Sequence, residues 1–406
     1  MRPRAFLIGV VAASALCAAT LRAQVKLGLE VLLTDSVHVL KGQRVGLITN
    51  HSGRDRAGRR NIDLLFKAPG IQLVALYGPE HGIAGVARGG DKIGASVDTA
   101  TGLPVYSLYG ETRVPTPDML KDVDVLLYDI QDVGARVYTF VWTMALAAEA
   151  AGKLGKRFIV LDRPNPIRAD IVQGGVLELP FRSFVGQYDV ALRYGMTPGE
   201  LLRFLVGTGR VKANIGVIPM SGYARSMWYS QTGLPWINTS PNIRDEETAL
   251  LYPGTVFFEA TNLSEGRGTD APLKQVGATW LTDAPAIADA LNRLAIPGIR
   301  FEATTAAVSA DEKLGGQTIP VVRIRVTDRN RAEPVAAAAW LMRAIFERHP
   351  ADWRWQAGGS SGDRLAGTQQ LRAAIERDSV PALLSRWTAE SAAFAKSIQP
   401  YLLYRP

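Results

Sequence analysis

The fold class shows most clearly in one stretch, Val125-Leu126-Leu127-Tyr128-Asp129-Ile130-Gln131-Asp132-Val133-Gly134. It opens with a short apolar run, which is typical of a buried strand, and closes with carboxylate, amide and glycine residues, which are typical of a loop. A helical pattern follows, because the apolar residues Val137, Val141, Met144 and Ala148 recur at three- to four-residue spacing. A buried strand that leads through a polar loop into a helix is the building unit of α/β proteins.

The same unit recurs along the first half of the chain. Strand-length apolar runs also occupy residues 45–48, 71–77, 158–161 and 215–218. The stretch Thr197-Pro198-Gly199-Glu200 predicts a capping box that opens a helix running through Phe204. This alternation predicts a Rossmann-like α/β domain over residues 24–235, built on a largely parallel sheet.

A second region starts near Trp236. Its patterns predict helices over residues 284–294, 335–348 and 367–375 and in the tail through Ser397, and a strand over residues 321–326. Because no low-complexity linker separates the two regions, we expect residues 236–406 to form a smaller C-terminal α/β or α+β domain that closes a cleft against the first.

Residues 1–23 have the pattern of a signal peptide. Arg2 and Arg4 precede an apolar, alanine-rich run that ends in small residues at Ala23. The run falls short of the roughly 20 apolar residues of a membrane span, which disfavours an uncleaved anchor. A lipid anchor on Cys17 is disfavoured by the bulky Leu16 before it. We therefore expect export across the inner membrane into the periplasm, with no integral membrane segment after signal removal.

Composition narrows the function classes. Of the 406 residues, 47% are hydrophobic and 21% are charged, which excludes a disordered chain. The single cysteine lies in the predicted signal, so the remainder can form neither a disulfide nor a cysteine-based zinc site. The 46 basic and 38 acidic residues include three arginines of the signal. Without them the excess of basic over acidic residues is mild, and the sequence contains no run of Lys or Arg. Both observations predict no nucleic-acid partner.

Candidate site residues follow the predicted strands. In a parallel sheet the carboxyl ends of the strands share one edge, where ligands bind. A single polar loop there would more simply cap the next helix, but polar loops after four successive strands favour a binding crevice. The residues selected from these loops for substrate binding are Asn50, His51, Asp132, Arg136, Arg163 and Asn165.

Glu80, between Pro79 and His81, is the best candidate for a general acid, and His81 is selected with it for the catalytic site. A carboxyl that a crevice shields from water can hold a proton near neutral pH, as protonation of a leaving oxygen requires. The alternative is a structural glutamate that orients His81 or caps a helix. Asp129 is the next carboxylate on this edge, and with Asp132 it could activate water, stabilise positive charge or hold Arg136 in an ion pair.

The second region contributes a polar cluster within residues 259–270, with Asn242 upstream. Its members are Glu259, Asn262, Glu265, Arg267 and Asp270. Gly266 and Gly268 would allow a tight turn that presents the Arg267 guanidinium outward, where it could bind a carboxylate. The alternative is a solvated surface loop.

Several motifs are missing or incomplete. The sequence holds no Gly-x-Gly-x-x-Gly after a strand, no Walker A loop and no His-Glu-x-x-His, and this pattern predicts no cofactor and no metal. Residues 358–362 match Gly-x-Ser-x-Gly around Ser360. Because no strand is predicted before them, we interpret them as a flexible loop, and an esterase is the weakest alternative.

These loops resemble the NamZ family of exo-acting N-acetylmuramidases, formerly a domain of unknown function. The matching stretches are GLITNHSG (46–53), GPEHG (78–82), YDIQDVGAR (128–136), YTF (138–140), LDRPNP (161–166), SPNI (240–243), TNLSEGRGT (261–269) and YLLY (401–404). The resemblance spans nearly the whole chain beyond the predicted signal. It implies a Rossmann-like domain and a smaller C-terminal domain around a cleft, with Glu80 at the position of the family's catalytic glutamate and Tyr138 at that of its active-site tyrosine.

The resemblance also implies a glycoside hydrolase that removes N-acetylmuramic acid from the non-reducing ends of peptidoglycan fragments. The lactyl carboxylate of that sugar needs a cation, which Arg163, Arg136 or Arg267 could supply. Its acetamido group could act as an internal nucleophile, with Glu80 as the acid/base and Tyr138 or Asp129 orienting the amide. The alternative from another class is a periplasmic protein that binds a cell-wall sugar or muropeptide without cleaving it, which the clustered carboxylates disfavour.

Overall fold

The computed structural model describes residues 24–87 and 90–406, so the predicted signal peptide with Cys17 lies outside the described residues. The strands, in chain order, are β1 (Arg44–Thr49), β2 (Gln72–Gly78), β3 (Ser96–Val97), β4 (Pro104–Ser107), β5 (Val125–Asp129), β6 (Arg157–Leu161), β7 (Gln173–Val176), β8 (Ala191–Arg193), β9 (Asn214–Ile218), β10 (Gln275–Gly277), β11 (Ile299–Ala307) and β12 (Thr318–Val326). The α-helices are α1 (Gly28–Val31), α2 (Asn61–Lys67), α3 (Pro117–Leu120), α4 (Phe140–Lys153), α5 (Pro198–Gly207), α6 (Glu246–Thr255), α7 (Ala284–Arg293), α8 (Pro334–Arg348), α9 (Ser360–Ala366), α10 (Gln370–Arg377) and α11 (Val380–Ser397).

The first half of the chain forms a seven-stranded sheet in the order β3-β4-β2-β1-β5-β6-β9. All its pairings are parallel except that of β3 with β4, which confirms the predicted α/β class with a largely parallel sheet. The chain moves outward from β1 through β2 and β4, and then returns to β5 on the other side of β1. This reversal places the switch point between β1 and β5, where the register sets Thr49 beside Asp129.

The two helices predicted in the first region are present, and one of them starts later than predicted. The capping box forms, because the Thr197 hydroxyl accepts from the Glu200 amide at 3.2 Å and the Glu200 carboxylate accepts from the Thr197 amide at 3.0 Å. Helix α4 begins at Phe140 rather than at Val137, which lies in the turn before it. Residues 135–139 therefore form the turn that precedes α4 and carries Tyr138 and Thr139.

The C-terminal region contains the antiparallel sheet β10-β12-β11 with helices packed against it. One prediction here was wrong, because residues 360–366 form helix α9 instead of a flexible loop. The helix predicted over residues 367–375 is present but begins only at Gln370. Gly367 ends α9 with a left-handed φ of 75°, a conformation that interrupts the helix and that glycine adopts without strain.

One apolar core joins the two regions. Trp142 of α4, Phe257 after α6 and Trp387 of α11 belong to the same buried cluster. Helix α11 packs against β7 so closely that a Cβ atom at Gly175 would come within 2.3 Å of the Trp387 indole nitrogen. Among the helices of residues 24–87 and 90–406, none combines the length and apolar character of a membrane crossing.

Candidate active site

A cleft of about 540 Å³ lies between the carboxyl edge of the first sheet and the C-terminal region. Its first wall includes Glu80, His81, Tyr109, Arg113, Tyr138 and Thr139, and its second includes Asn242, Tyr252, Glu259, Arg267, Asp311 and Glu312. Since the two walls come from distant parts of the chain, folding of both regions is needed to form the cleft.

Glu80 follows β2 and is held by hydrogen bonds to both carboxylate oxygens. The Thr139 hydroxyl donates to Oε2 at 2.5 Å, and the Gly90 amide donates to Oε1 at 3.2 Å. Thr139 is the residue just before α4, but its hydroxyl binds Glu80 instead of capping that helix. A partly shielded carboxyl fixed at a cleft wall has the geometry of a general acid/base.

His81 shapes the turn that carries Glu80. Its backbone is left-handed, with φ of 67°, and its Nδ1 lies 2.7 Å from the Ala87 carbonyl oxygen. The ring meets Phe140 edge-on, with the ring centroids 6.5 Å apart. The left-handed turn and this hydrogen bond fix the direction of the neighbouring Glu80 side chain.

Tyr138 connects the two walls of the cleft. Its ring packs edge-on against Phe140 and Tyr252, with centroid distances of 4.8 Å and 5.8 Å. Its hydroxyl donates to Thr239 Oγ1 at 3.0 Å. Burial raises the pKa of the Tyr138 phenol well above its usual range, so the side chain stays neutral and can donate a hydrogen bond at physiological pH.

The other strand-end residues converge, but beneath the cleft. Asp129 forms a buried ion pair with Arg163, whose Nε and Nη2 donate at 2.5 Å and 3.1 Å, and it also accepts from Asn61 at 2.8 Å. Asn50 accepts from the amide and hydroxyl of Ser52. Asn165 donates to the Met196 carbonyl at 2.9 Å. These bonds form a polar layer that supports the cleft floor, and Asp129, Asn50, Arg163 and Asn165 do not line the cleft.

Asp132 and Arg136 bind separate partners. Asp132 accepts from the Gly134 amide at 2.6 Å and from the Tyr194 hydroxyl, and burial raises its pKa to about 7. Arg136 is fully buried and donates to the carbonyls of Leu365 and Ala366, both at 3.0 Å. Burial lowers the pKa of Arg136 to about 9. Both side chains therefore hold the fold behind the cleft wall, and Arg136 fastens the C-terminal region to the first domain.

Two further predicted residues position loops. His51 Nε2 donates to the Asn238 carbonyl at 2.5 Å, and burial lowers the His51 pKa, which keeps the ring neutral. Asn262 donates to the Asp352 carbonyl and accepts from the Arg354 amide, both at 2.9 Å. His51 thereby holds the segment that leads to Asn242 on the second wall.

The cluster at residues 259–270 is an ion-pair network. Arg267 donates to Glu259 at 2.5 Å and to Glu265 at 2.8 Å, and Lys313 donates to Glu265 at 2.9 Å. Burial raises the pKa of Glu259, with Arg267 opposing that effect. Burial also acts to raise the pKa of Glu265, but Lys313 and Arg267 outweigh it and lower that pKa.

The prediction for the Arg267 turn was half right. Gly266 and Gly268 adopt the left-handed φ values of 83° and 74° that a tight turn requires. The Arg267 guanidinium does not point outward, since its side chain is only 25% exposed and lies in the cleft wall between two carboxylates. Asp270 instead pairs with Arg323 at 2.8 Å and does not line the cleft.

Sequence reasoning missed several cleft residues, including Tyr109, Arg113, Thr139 and Tyr252. Tyr109 and Arg113 follow β4, a four-residue strand opened by Pro104, which was too short for its apolar pattern to be recognised. Ser360, the esterase candidate, donates to the Ala357 carbonyl at 3.0 Å outside the cleft. Within the described residues, no three His, Cys, Asp or Glu side chains gather as a metal site would require.

Comparison with known proteins connects this cleft to one family. Residues 45–247 match the family model described as "Exo-beta-N-acetylmuramidase NamZ, N-terminal", and residues 250–404 match that of the C-terminal part. The chain is 40% identical over 382 residues to a Bacillus subtilis (strain 168) protein named peptidoglycan beta-N-acetylmuramidase NamZ, covering 94% of this chain and 92% of the relative.

Solved structures agree with that match. A crystal structure of a DUF1343-family protein from Bacteroides fragilis superposes with a TM-score of 0.88 at 37% identity, over 95% of this chain and 100% of that chain. A second protein of the same description from that organism superposes with a TM-score of 0.75 at 26% identity, over 94% and 99% of the two chains.

Proposed function

The chain belongs to the NamZ family of exo-β-N-acetylmuramidases, a peptidoglycan-directed group of glycoside hydrolases, and from this premise we propose that Glu80 is its general acid/base. The products we propose are N-acetylmuramic acid, released from the non-reducing ends of peptidoglycan fragments, and the shortened fragment. The alternative of a binding protein without hydrolysis is set aside, because the family is one of enzymes.

The observation that carries the proposal is the setting of the Glu80 carboxylate. It lies at the cleft wall with one oxygen bound by Thr139 at 2.5 Å and the other by the Gly90 amide at 3.2 Å. Asp129, the other strand-end carboxylate selected for catalysis, is instead committed to Arg163 beneath the floor. Glu80 is thus the strand-end carboxylate that a sugar in the cleft can reach.

The mechanism that fits these groups uses the acetamido group of the substrate. Glu80 protonates the leaving glycosidic oxygen while the acetamido oxygen attacks the anomeric carbon, and the resulting cyclic intermediate is opened by a water that Glu80 deprotonates. On the opposite wall, Glu259 is held by Arg267 at 2.5 Å and is available to orient the acetamido N–H rather than to attack. Tyr138, kept neutral by burial, can exchange its hydrogen bond to Thr239 for one donated to the sugar or to the acetamido oxygen.

Replacement of Glu80 by Gln tests this role. The change keeps the shape of the side chain and removes its proton, so we expect turnover of a muramyl-terminated disaccharide to fall by roughly 10²–10⁴-fold while binding is retained. The measurement is release of N-acetylmuramic acid by chromatography, with binding of the disaccharide followed by calorimetry.

Glu302→Gln is a matched control. Glu302 lies on β11 and pairs with Arg325 outside the cleft, so this variant should keep the wild-type rate. Wild-type turnover in Glu80→Gln would contradict the role of Glu80, and no release of N-acetylmuramic acid by the wild-type protein would contradict the proposed reaction.

We also propose that the enzyme acts in the periplasm. The basic, apolar and small-residue pattern of residues 1–23 and the absence of cysteine from the rest of the sequence support export. Sequencing the amino terminus of protein from a periplasmic extract should give a start at Gln24, and an intact Met1 in the cytosolic fraction would contradict this.

A further inference from the structure

The cleft poses a charge problem for an acidic sugar. Its described walls carry several carboxylates, Glu80 and Glu312 among them, beside Arg113 and Arg267. Muramic acid bears a carboxylate on the lactyl ether at its third carbon, and a carboxylate that approaches acidic groups is repelled. Recognition therefore requires a cation that the protein has not already neutralised.

The arginines selected from the sequence do not meet this requirement. Arg267 is bound by both Glu259 and Glu265, so its charge is compensated on two sides. Arg163 is paired with Asp129 beneath the floor, and Arg136 is buried against the carbonyls of Leu365 and Ala366.

Arg113 has a different setting. It is exposed in the loop after β4, with its guanidinium 4.1 Å from the ring centroid of Phe184 and 5.1 Å from that of Tyr109. No carboxylate of the described residues lies within ion-pair distance of Arg113. Aromatic rings cover the face of the guanidinium. Its N–H edge, which also interacts with the Tyr109 hydroxyl, is the edge that binds a carboxylate with two hydrogen bonds.

Tyr109 places this cation close to the reacting end of the substrate. The Tyr109 phenol lies between the two side chains: burial and Glu80 raise its pKa to about 12, and Arg113 opposes them. Glu80 acts on the oxygen at the first carbon of the sugar, and the lactyl group is attached to the third carbon of the same ring. Because Tyr109 lies between Glu80 and Arg113, the Arg113 guanidinium is suitably placed to bind the lactyl carboxylate of a sugar whose glycosidic oxygen meets Glu80.

The backbone of Tyr109 is held by hydrogen bonds on both of its polar groups. The Ile93 amide donates to the Tyr109 carbonyl at 3.0 Å, and the Tyr109 amide donates to the Ser107 hydroxyl at 3.1 Å. Because less loop freedom is lost on binding, such preorganisation favours affinity.

We propose that Arg113 binds the lactyl carboxylate of the muramic acid residue and makes the enzyme selective for the free acid. This inference rests on the proposed function, since it assigns the group that recognises the substrate of that reaction. Arg113 acts here as a specificity residue and takes no part in bond cleavage.

The test compares a β-N-acetylmuramide with its lactyl methyl ester, which removes the charge of that group and adds one methyl. We expect the wild-type enzyme to lose roughly ten- to a hundredfold in kcat/KM on the ester, the range of a charged hydrogen-bonded contact. Arg113→Gln should lose a similar factor on the acid and show no further loss on the ester, because each change removes the same contact. Arg113→Lys should lie between, since it keeps the charge without the planar fork.

Arg182→Gln is the matched control. Arg182 also stacks on an aromatic ring, at 5.0 Å from the Tyr188 centroid, and is two residues from Phe184, but it does not line the cleft. It should keep the wild-type preference for the acid.

An Arg113→Gln enzyme that still prefers the acid, or that loses equally on acid and ester, would overturn the inference. If the wild-type protein cleaves neither glycoside, the proposed reaction fails, and competition binding of free N-acetylmuramic acid and its methyl ester still decides the role of Arg113. A wild-type preference for the acid that disappears in Arg113→Gln would support it, and equal binding of acid and ester by the wild-type protein would overturn it.

Discussion

At the scale of single residues, the hydroxyl of Thr139 is the detail on which Glu80 depends. It occupies the position just before α4, where a threonine commonly caps the helix through its side chain. Here the hydroxyl donates to Glu80 Oε2 at 2.5 Å, so the start of α4 and the catalytic candidate are joined by one bond. Thr139 is a positioning residue, because its hydroxyl is bound to Glu80.

Thr139→Val keeps the shape of the side chain and removes this donor. We expect kcat to fall about tenfold with little change in KM, because one hydrogen bond of about 1.5 kcal/mol that orients Glu80 is lost. Steady-state kinetics on a muramyl disaccharide measures the effect. Thr139→Ser should recover the rate, whereas a serine variant as slow as the valine variant would show that packing, not the hydroxyl, matters.

The strand-end residues Glu80 and Asp129 show which positions could be predicted from the sequence and which contacts could not. The position of Glu80 after a strand predicted its place at the sheet edge, and the structure puts it on the cleft wall. Asp129 follows a strand in the same way, yet the parallel register of β5 and β6 brings Arg163 against it and buries both. A linear pattern shows which loops share an edge but not which of their side chains pair with each other.

At the scale of elements, the errors came from short or interrupted segments. The four residues of β4, opened by Pro104, carry too little pattern to separate from a loop, and Tyr109 and Arg113 were missed with it. Gly367 lies within an apparently helical pattern but ends α9 in a left-handed conformation. The long periodic segments and the capping box of α5 were predicted because their signals are local.

The C-terminal tail is an element with a clear structural role. The Tyr404 hydroxyl donates to buried Asp162 at 2.6 Å and accepts from the Met220 amide at 3.0 Å. The Leu403 amide donates to Glu200 at 2.9 Å. The tail therefore binds the carboxyl edge of β6 and the start of α5, in the first domain, although it ends the chain.

Tyr404→Phe should destabilise the protein by about 1–3 kcal/mol, because it leaves the Met220 amide without its acceptor and removes a donor from Asp162. Urea unfolding followed by circular dichroism measures the change. Tyr401→Phe is the control, since it keeps the ring contact with Phe204 at 5.6 Å and should shift stability by less than about 0.5 kcal/mol. Equal effects of the two variants would argue against the tail bond.

At the scale of the whole molecule, two buried carboxyls link stability to pH. Burial raises the pKa of both Asp132 and Asp162 to about 7, whereas the unfolded chain has the usual value of about 3.9. Between these values the folded protein holds more protons than the unfolded one, so its stability falls as pH rises through that window. The contribution is fully present below about pH 4 and is lost above about pH 7.

Asp132→Asn should reduce this decline. The amide stays neutral at every pH, so the free energy of unfolding should fall less between pH 5 and pH 7.5 than in the wild-type protein, by an amount of the order of a few kcal/mol. Urea unfolding at the two pH values gives the comparison. Asp289→Asn on the exposed face of α7 should leave the decline as it is, and an unchanged decline in Asp132→Asn would refute the assignment.

The apolar core that runs through both regions has a consequence for how this protein can be altered. Trp142, Phe257 and Trp387 share one buried cluster, and Arg136 of the first region is bound by backbone carbonyls of the second. The two halves are therefore not interchangeable modules, even though separate family models describe them. A chimaera that joins one half to the other half of a relative would have to inherit both sides of that shared core, and substrate range is more readily engineered through the cleft loops than by exchanging domains.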